Sequence, residues 1–186
     1  MALWDMIKLS VTAPRDAAGR LLAMRLPAQV GWLGFGLVVV INTFAQALYS
    51  VLVPLPEELQ GVAIPPIGFA IMFATALILS VIVLAWVGRF FGGIAQLEDV
   101  LCILVWLQFL RAIAQLGLVA VAVIIPQLSV IAGLGVSLLG VWLLMNFLNV
   151  AFGFDNLWKS FGVMLAAGVF VLAGLIMVMT MILPML

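Results

Sequence analysis

The residue best placed to do chemistry in this sequence is Arg111, a lone cation in a long apolar stretch. Between Val100 and Phe152 it is the only charged residue. Gln108 and Gln115 lie three residues before it and four after it, so on an α-helix the three side chains share one face. Such a group suits a binding site or pathway for an anion, a lipid headgroup or a proton. It also suits a hydrogen-bond network that fixes the register of packed helices, which is the reading we favour.

Further amides are spaced to join this group. Asn42 and Gln46 are four residues apart in an earlier apolar stretch, and Asn146 and Asn149 are three apart in a later one. We expect a buried polar seam of Asn42, Gln46, Gln108, Arg111 and Gln115, with the two later asparagines as further contributors. The sequence places no carboxylate near Arg111, which favours an anion or a lipid phosphate over a proton relay.

Catalytic chemistry is poorly represented. The chain has no histidine and a single cysteine, Cys102, so it lacks the usual general base, the commonest metal ligand and an internal disulfide. No segment matches a nucleophile elbow, a phosphate-binding loop or a metal-binding helix. We therefore expect a protein that is not an enzyme and that holds no metal or cofactor.

The composition indicates a lipid environment. The chain is 68% hydrophobic and 8% charged, against roughly 45–50% and about 25% in a soluble domain. So much apolar surface would aggregate in water. Lysine plus arginine balance aspartate plus glutamate, so charge suggests no nucleic-acid partner. The predicted fold class is an all-α integral membrane protein.

Segment lengths predict five membrane spans, since a bilayer core needs about 20 apolar residues per helix. The stretch from Val100 to Phe152 is too long for one span, and Pro126 is its natural break. Pro54, Pro56 and the acidic pair Glu57–Glu58 form a predicted polar loop after the first span. The five spans are predicted at residues 30–53, 67–87, 100–124, 128–151 and 161–183 within a transmembrane domain of residues 27–186.

The basic residues predict an orientation. With five spans, every lysine and arginine except Arg111 falls on one side of the membrane, and the other side carries only Glu57 and Glu58. The positive-inside rule places the basic side, with the N-terminus, in the cytoplasm and the C-terminus in the periplasm. We expect a multi-pass protein of a bacterial inner membrane.

Residues 1–26 form a separate basic segment. Leu3, Trp4, Ile7 and Val11 recur at helical spacing, and Pro14 can begin a second helix at its first turn. We expect helices lying in the cytoplasmic membrane interface. The alternative is a partly ordered tail held near anionic lipid by its charge.

Small residues predict where helices approach each other closely. Ser129, Gly133, Ser137 and Gly140 follow one side of the fourth predicted span. Because small side chains let helix backbones come together, we expect this side to pack against another helix. A flexible gate is the alternative.

Several motifs, taken in order, resemble a known family. They are Pro14-Arg15-Asp16, Gly88-Arg89-Phe90-Phe91-Gly92-Gly93, Leu104-Val105-Trp106-Leu107-Gln108-Phe109, Val141-Trp142-Leu143-Leu144-Met145-Asn146-Phe147 and Phe152-Gly153-Phe154-Asp155-Asn156-Leu157-Trp158. Over residues from about 10 to 183 the chain resembles bacterial members of the Yip domain family, named for Ypt/Rab-interacting proteins. The resemblance implies a five-helix membrane domain with a cytosolic N-terminus.

The resemblance also implies partner binding without catalysis. Eukaryotic relatives act in vesicle trafficking and bind Rab GTPases and each other. This sequence has no Asp-Leu-Tyr-Gly-Pro motif, and its one tyrosine, Tyr49, lies inside a predicted span. Because bacteria have no Rab trafficking, only the partner-binding character carries over. We expect a scaffold or accessory subunit that contacts other membrane proteins or itself; the alternative is a small transporter, channel or lipid- or anion-binding protein that uses the seam around Arg111.

Overall fold

The structure, a computed structural model, describes residues 2–52 and 64–182. The predicted polar loop around Pro54 and Glu57–Glu58 lies outside these residues. The described residues form seven α-helices and no β-strand. The helices are α1 (Leu3–Thr12), α2 (Pro14–Ala23), α3 (Ala28–Leu52), α4 (Pro66–Phe90), α5 (Leu97–Ile124), α6 (Pro126–Phe152) and α7 (Leu157–Ile182).

Five of these helices, α3 to α7, are long and apolar enough to cross a membrane, which confirms the predicted fold class. All five begin earlier than the apolar runs suggested, and α5 and α7 do so by three and four residues because polar residues stabilise their first turns. The carboxylate of Asp99 accepts a hydrogen bond from the backbone of Gln96 at 2.9 Å ahead of α5. The side chain of Asn156 likewise accepts one from the backbone of Trp158 at 2.9 Å ahead of α7.

The spans alternate in direction and form a bundle. Helix α5 packs against α3 and α6, α4 packs against α7, and smaller contacts join α3 to α4 and α6 to α7. The predicted break between the third and fourth spans is confirmed. Ile125 leaves the helical region at φ −140° and ψ 86°, and Pro126 begins α6, since a proline disfavours helical geometry in the residue before it.

Helices α1 and α2 form a pair that is docked on the bundle. Helix α2 packs against α6 and α5, and α1 packs against α2. Ala17, Ala18 and Leu21 of α2 are buried, as are Met6 and Ser10 of α1. The stripe of α1 singled out in the sequence lies on another side: Leu3, Trp4 and Val11 are exposed.

The core lies toward one end of the bundle. We call this the basic end; it carries α1, α2 and the connections from α4 to α5 and from α6 to α7, with Arg89 and Lys159. The opposite end is called the far end. No side chain of residues 127–142, in the far half of α6, is buried. Among the described residues, only the contact between α3 and α5 carries buried side chains well into the far half, at Ala112, Val119 and Ala122.

Candidate functional site

The seam between α3 and α5 is built on a regular repeat. Positions 101, 105, 108, 112, 115, 119 and 122 of α5 alternate in steps of four and three residues, which is the spacing of a coiled-coil seam. At its start, glycines of α3 allow close approach. A Cβ added at Gly31 would lie 3.1 Å from Leu101, and one added at Gly34 would lie 2.9 Å from Val105.

The predicted amides meet along this seam. Asn42, which is 2% exposed, donates to the backbone oxygen of Val38 at 2.8 Å and to that of Gln108 at 3.4 Å. One helical turn farther, Gln115 donates to Oε1 of Gln46 at 3.3 Å. These hydrogen bonds join α3 to α5 and fix their relative height, so four of the five predicted seam residues lie together.

One polar atom of Gln108 has no hydrogen-bond partner among the described residues. Its side-chain Oε1 is buried and accepts no hydrogen bond from the described residues. A buried amide oxygen without a donor costs about 1–3 kcal/mol. The hydrogen bonding of the seam is therefore incomplete at Gln108, which lies near the middle of α5.

Arg111 departs from the prediction. Its side chain is exposed, and within the described ranges no hydrogen bond or ion pair to it is found. A buried Arg111 was expected to bond to Asn42, Gln46 or Gln115 directly or through water, and none of these three residues makes a direct hydrogen bond to the guanidinium. The reason is register: Arg111 comes one residue before Ala112 in the repeat, so it flanks the seam instead of occupying it.

Other residues on the flank of Arg111 are more buried than Arg111 itself. Leu104 and Leu118 lie seven residues before and after it, on the same line of the helix. Leu104 is 6% exposed and Leu118 is half-buried, whereas Arg111 is exposed. Arg111 thus opens into a space that no described helix fills. An arginine charge at the centre of a membrane helix costs about 2.5–3.5 kcal/mol on insertion scales.

The small residues of α6 also depart from the prediction. A Cβ added at Gly133 or at Gly140 would meet no described atom within 4 Å, and Ser137 is exposed and donates to Gly133 of its own helix at 2.8 Å. Ser129 belongs to the same side of α6 and is half-buried. At Gly133 and Gly140 this side therefore does not make a tight contact with another described helix.

The closest glycine contacts lie instead where two of the family-like motifs meet at the basic end. The ring of Phe152 fills the space beside Gly88 and Gly93, where added Cβ atoms would collide with it. The oxygen of Phe152 accepts a hydrogen bond from the backbone of Ile94 at 3.2 Å. Gly153, at φ +67°, then ends α6 in a conformation that favours glycine.

Two polar contacts attach the N-terminal helices, and the sequence did not reveal them. Nε1 of Trp106 donates to Oγ of Ser10 at 2.9 Å, and Nε of Arg15 donates to Oδ1 of Asn146 at 3.2 Å. Asn146 was expected as a contributor to the Arg111 seam, so that expectation is wrong. Its partner is Arg15, since the polar end of α6 faces α2.

Two apolar cavities lie along α3. The larger, of about 340 Å³, is between α3 and α4 in the far half and is lined by Val39, Val40, Thr43, Phe44, Ala47, Pro66 and Ala70. A second, of about 250 Å³, is lined by Trp32, Phe35, Ile78, Val81, Ile82, Leu97 and Leu101. Neither contains Arg111 or a seam amide. Among the described residues no group of histidine, cysteine and carboxylate side chains could hold a metal ion.

Comparison with known proteins gives one match. The family model described as the Yip1 domain matches residues 8–179, nearly the whole chain. No curated protein and no solved structure matches the chain. The matched range includes α3 to α6 and most of α7, the docked helix α2 and the motifs that meet at Phe152. The chain is a member of the Yip1 domain family.

Proposed function

We propose that this protein is a non-catalytic membrane scaffold or accessory subunit that acts through lateral contacts with another membrane protein. One observation carries the proposal: Arg111 lies at the centre of a membrane helix, is exposed, and has no polar partner among the described residues. A charge at that depth is costly, and arginines inside membrane spans are as a rule paired with another polar group. Its counter-ion therefore comes from outside the described chain.

A small transporter or channel is less well supported. A transport path needs polar groups that line a continuous water-filled space. The seam amides instead donate to and accept from each other across α3 and α5, and the two cavities are lined by apolar side chains with one threonine. In this proposal the hydrogen bonds of the seam fix the relative height of α3 and α5, and the seam does not line a transport path.

We also propose that the basic end is cytoplasmic and that the membrane is a bacterial inner membrane. The support is the distribution of charge: Arg15, Arg20, Arg25, Arg89 and Lys159 all belong to that end. Leu3, Trp4 and Val11 are exposed on α1, and Nζ of Lys8 lies 5.4 Å from the centre of the Trp4 ring. Apolar side chains beside basic ones suit the headgroup region, so we place α1 there.

In-cell photo-crosslinking tests the proposed lateral contact. A benzophenone amino acid is placed at Leu118, on the flank of Arg111, and for comparison at Val169, which is 68% exposed near the middle of α7. We expect a discrete protein adduct from position 118 and only lipid adducts from position 169. Lipid adducts alone from position 118 would contradict the proposal.

A further inference from the structure

The first observation that bears on the partner is the depth of Arg111 in the membrane. It lies at the centre of the 28-residue helix α5, so about 20 Å of helix separates it from either end. Lipid phosphates lie outside a hydrocarbon core that is about 30 Å thick. An arginine at the middle of that core meets a phosphate only if its side chain or the bilayer is displaced. A counter-ion at the same depth requires no such displacement.

The second step is the position of every carboxylate in the chain. None belongs to the central part of a span. The carboxylates are Asp5, Asp16, Glu57, Glu58, Glu98, Asp99 and Asp155. A second copy of this chain therefore cannot supply a side-chain carboxylate at the depth of Arg111. Pairing two copies along this flank would instead bring two arginines together.

The third step is the open side of α6, which includes a glycine at the depth of Arg111. Gly140 and Arg111 lie at similar chain distances from the turn at Ile125, so they have similar depth in the antiparallel pair α5–α6. A Cβ added at Gly140 or Gly133 meets no described atom within 4 Å. Another helix can therefore approach this side of α6 closely, and at Gly140 it would do so at the depth of the guanidinium.

We infer that Arg111 forms an ion pair with an aspartate or glutamate at the middle of a spanning helix of a different membrane protein. The inference rests on the proposed lateral contact and makes it specific: the partner is not a second copy, and it carries an intramembrane carboxylate. Arginine suits such a pair because its charge is permanent and its fork of N–H groups matches both carboxylate oxygens. Each ion lowers the cost of placing the other in lipid.

A reconstituted system tests the pair with a defined probe. The full chain, with Cys102→Ser and a fluorescent donor at Asn156→Cys, is placed in phosphatidylcholine vesicles. Acceptor-labelled synthetic helices of leucine and alanine carry aspartate, asparagine or leucine at the centre. We expect energy transfer to the aspartate helix to half-saturate at a peptide-to-lipid ratio about tenfold lower than for the asparagine helix.

Three variants test whether that difference in binding depends on Arg111. We expect Arg111→Met to abolish the preference for aspartate, and Arg89→Met, which removes a charge at the basic end, to leave it unchanged. Arg111→Lys keeps a charge at the same depth and should retain part of the preference. The wild-type comparison of the aspartate and asparagine helices is informative even where a variant does not fold.

Three outcomes would overturn the inference. Equal binding of the aspartate and asparagine helices is the first, and an unchanged preference in Arg111→Met is the second. The third is tested with phosphatidylglycerol added to the vesicles: its Arg111-dependent retention by the protein, without any preference for aspartate, would assign the guanidinium to a lipid phosphate. If the wild-type protein still gives the adduct from position 118 in those cases, the inference fails while the lateral contact stands; absence of that adduct from the wild-type protein would reject the proposed function itself.

Discussion

The ring of Phe152 occupies the volume that a side chain at Gly88 would need. A Cβ added at Gly88 would overlap the ring, and one added at Gly93 would come within 2.5 Å of it. Phe152 is 1% exposed and stacks on Phe154 at 5.4 Å between ring centres. The two glycines therefore let the end of α4 and the start of its loop close around the last turn of α6.

The first prediction is that Gly88→Ala destabilises the bundle. Because the ring is enclosed, it cannot move aside without displacing its neighbours, so we expect a loss of about 1–3 kcal/mol. Thermal unfolding of the purified protein in mild detergent measures it. Gly36→Ala is the matched control, since its Cβ meets nothing within 4 Å and should not lower stability. A Gly88→Ala protein as stable as Gly36→Ala would contradict the enclosed position of the ring.

The second prediction separates two kinds of membrane glycine. Gly133→Leu should change the stability of the isolated protein by less than about 0.5 kcal/mol, because no described atom lies near its Cβ. Gly34→Leu should cost more than about 1 kcal/mol, because its Cβ would lie 2.9 Å from Cγ1 of Val105. Unfolding midpoints in detergent compare the two. Equal losses would show that α6 packs within the chain after all.

The third prediction concerns the docking of α1. In Ser10→Ala, Nε1 of Trp106 loses its acceptor, at a cost of about 1–3 kcal/mol if the site stays dry. We expect faster tryptic cleavage at Lys8 and Arg15, measured by time-resolved gel analysis. Thr12→Ala is the control: its hydroxyl, like that of Ser10, donates to a carbonyl four residues earlier, but Thr12 is exposed. If both variants are cleaved at the same rate, the Trp106 contact does not hold α1 in place.

Much of the fold follows from the sequence because lipid imposes simple constraints. A spanning helix needs a fixed length of apolar residues, and a proline disfavours the helical conformation in the residue before it. Those two rules predicted the five spans and the break at Pro126. They also placed the starts of α5 and α7 too late in the sequence. Hydropathy does not register the first-turn hydrogen bonds of Asp99 and Asn156, which let these helices begin earlier.

The site was harder to predict, because contacts between helices depend on which side faces which neighbour. The spacing of Asn42, Gln46, Gln108 and Gln115 predicted their association, and Arg111 shares the spacing. One residue of offset in the repeat nevertheless moves Arg111 to the flank of the seam. Glycine spacing alone likewise could not distinguish Gly34, which touches Val105, from Gly133, which has space beside it.

The fourth prediction concerns orientation. In a background of Cys102→Ser, a cysteine at Glu58 should react with a membrane-impermeant maleimide in intact cells, because we place it in the periplasm. A cysteine at Asn156 should react only after the membrane is opened, because it lies at the basic end, which we place in the cytoplasm. Labelling at position 156 in intact cells would reject both the orientation and the five-span topology.

The measurement that tests the central claim most directly is a pair of readings on Arg111→Met: the unfolding midpoint in detergent and the yield of the protein adduct from position 118 in cells. Methionine keeps much of the volume and removes the charge. Because Arg111 has no partner among the described residues, we predict an unfolding midpoint equal to or above that of wild type, together with loss of the adduct. A lower midpoint would make Arg111 part of the fold, and an undiminished adduct would place the lateral contact elsewhere; either result contradicts the account.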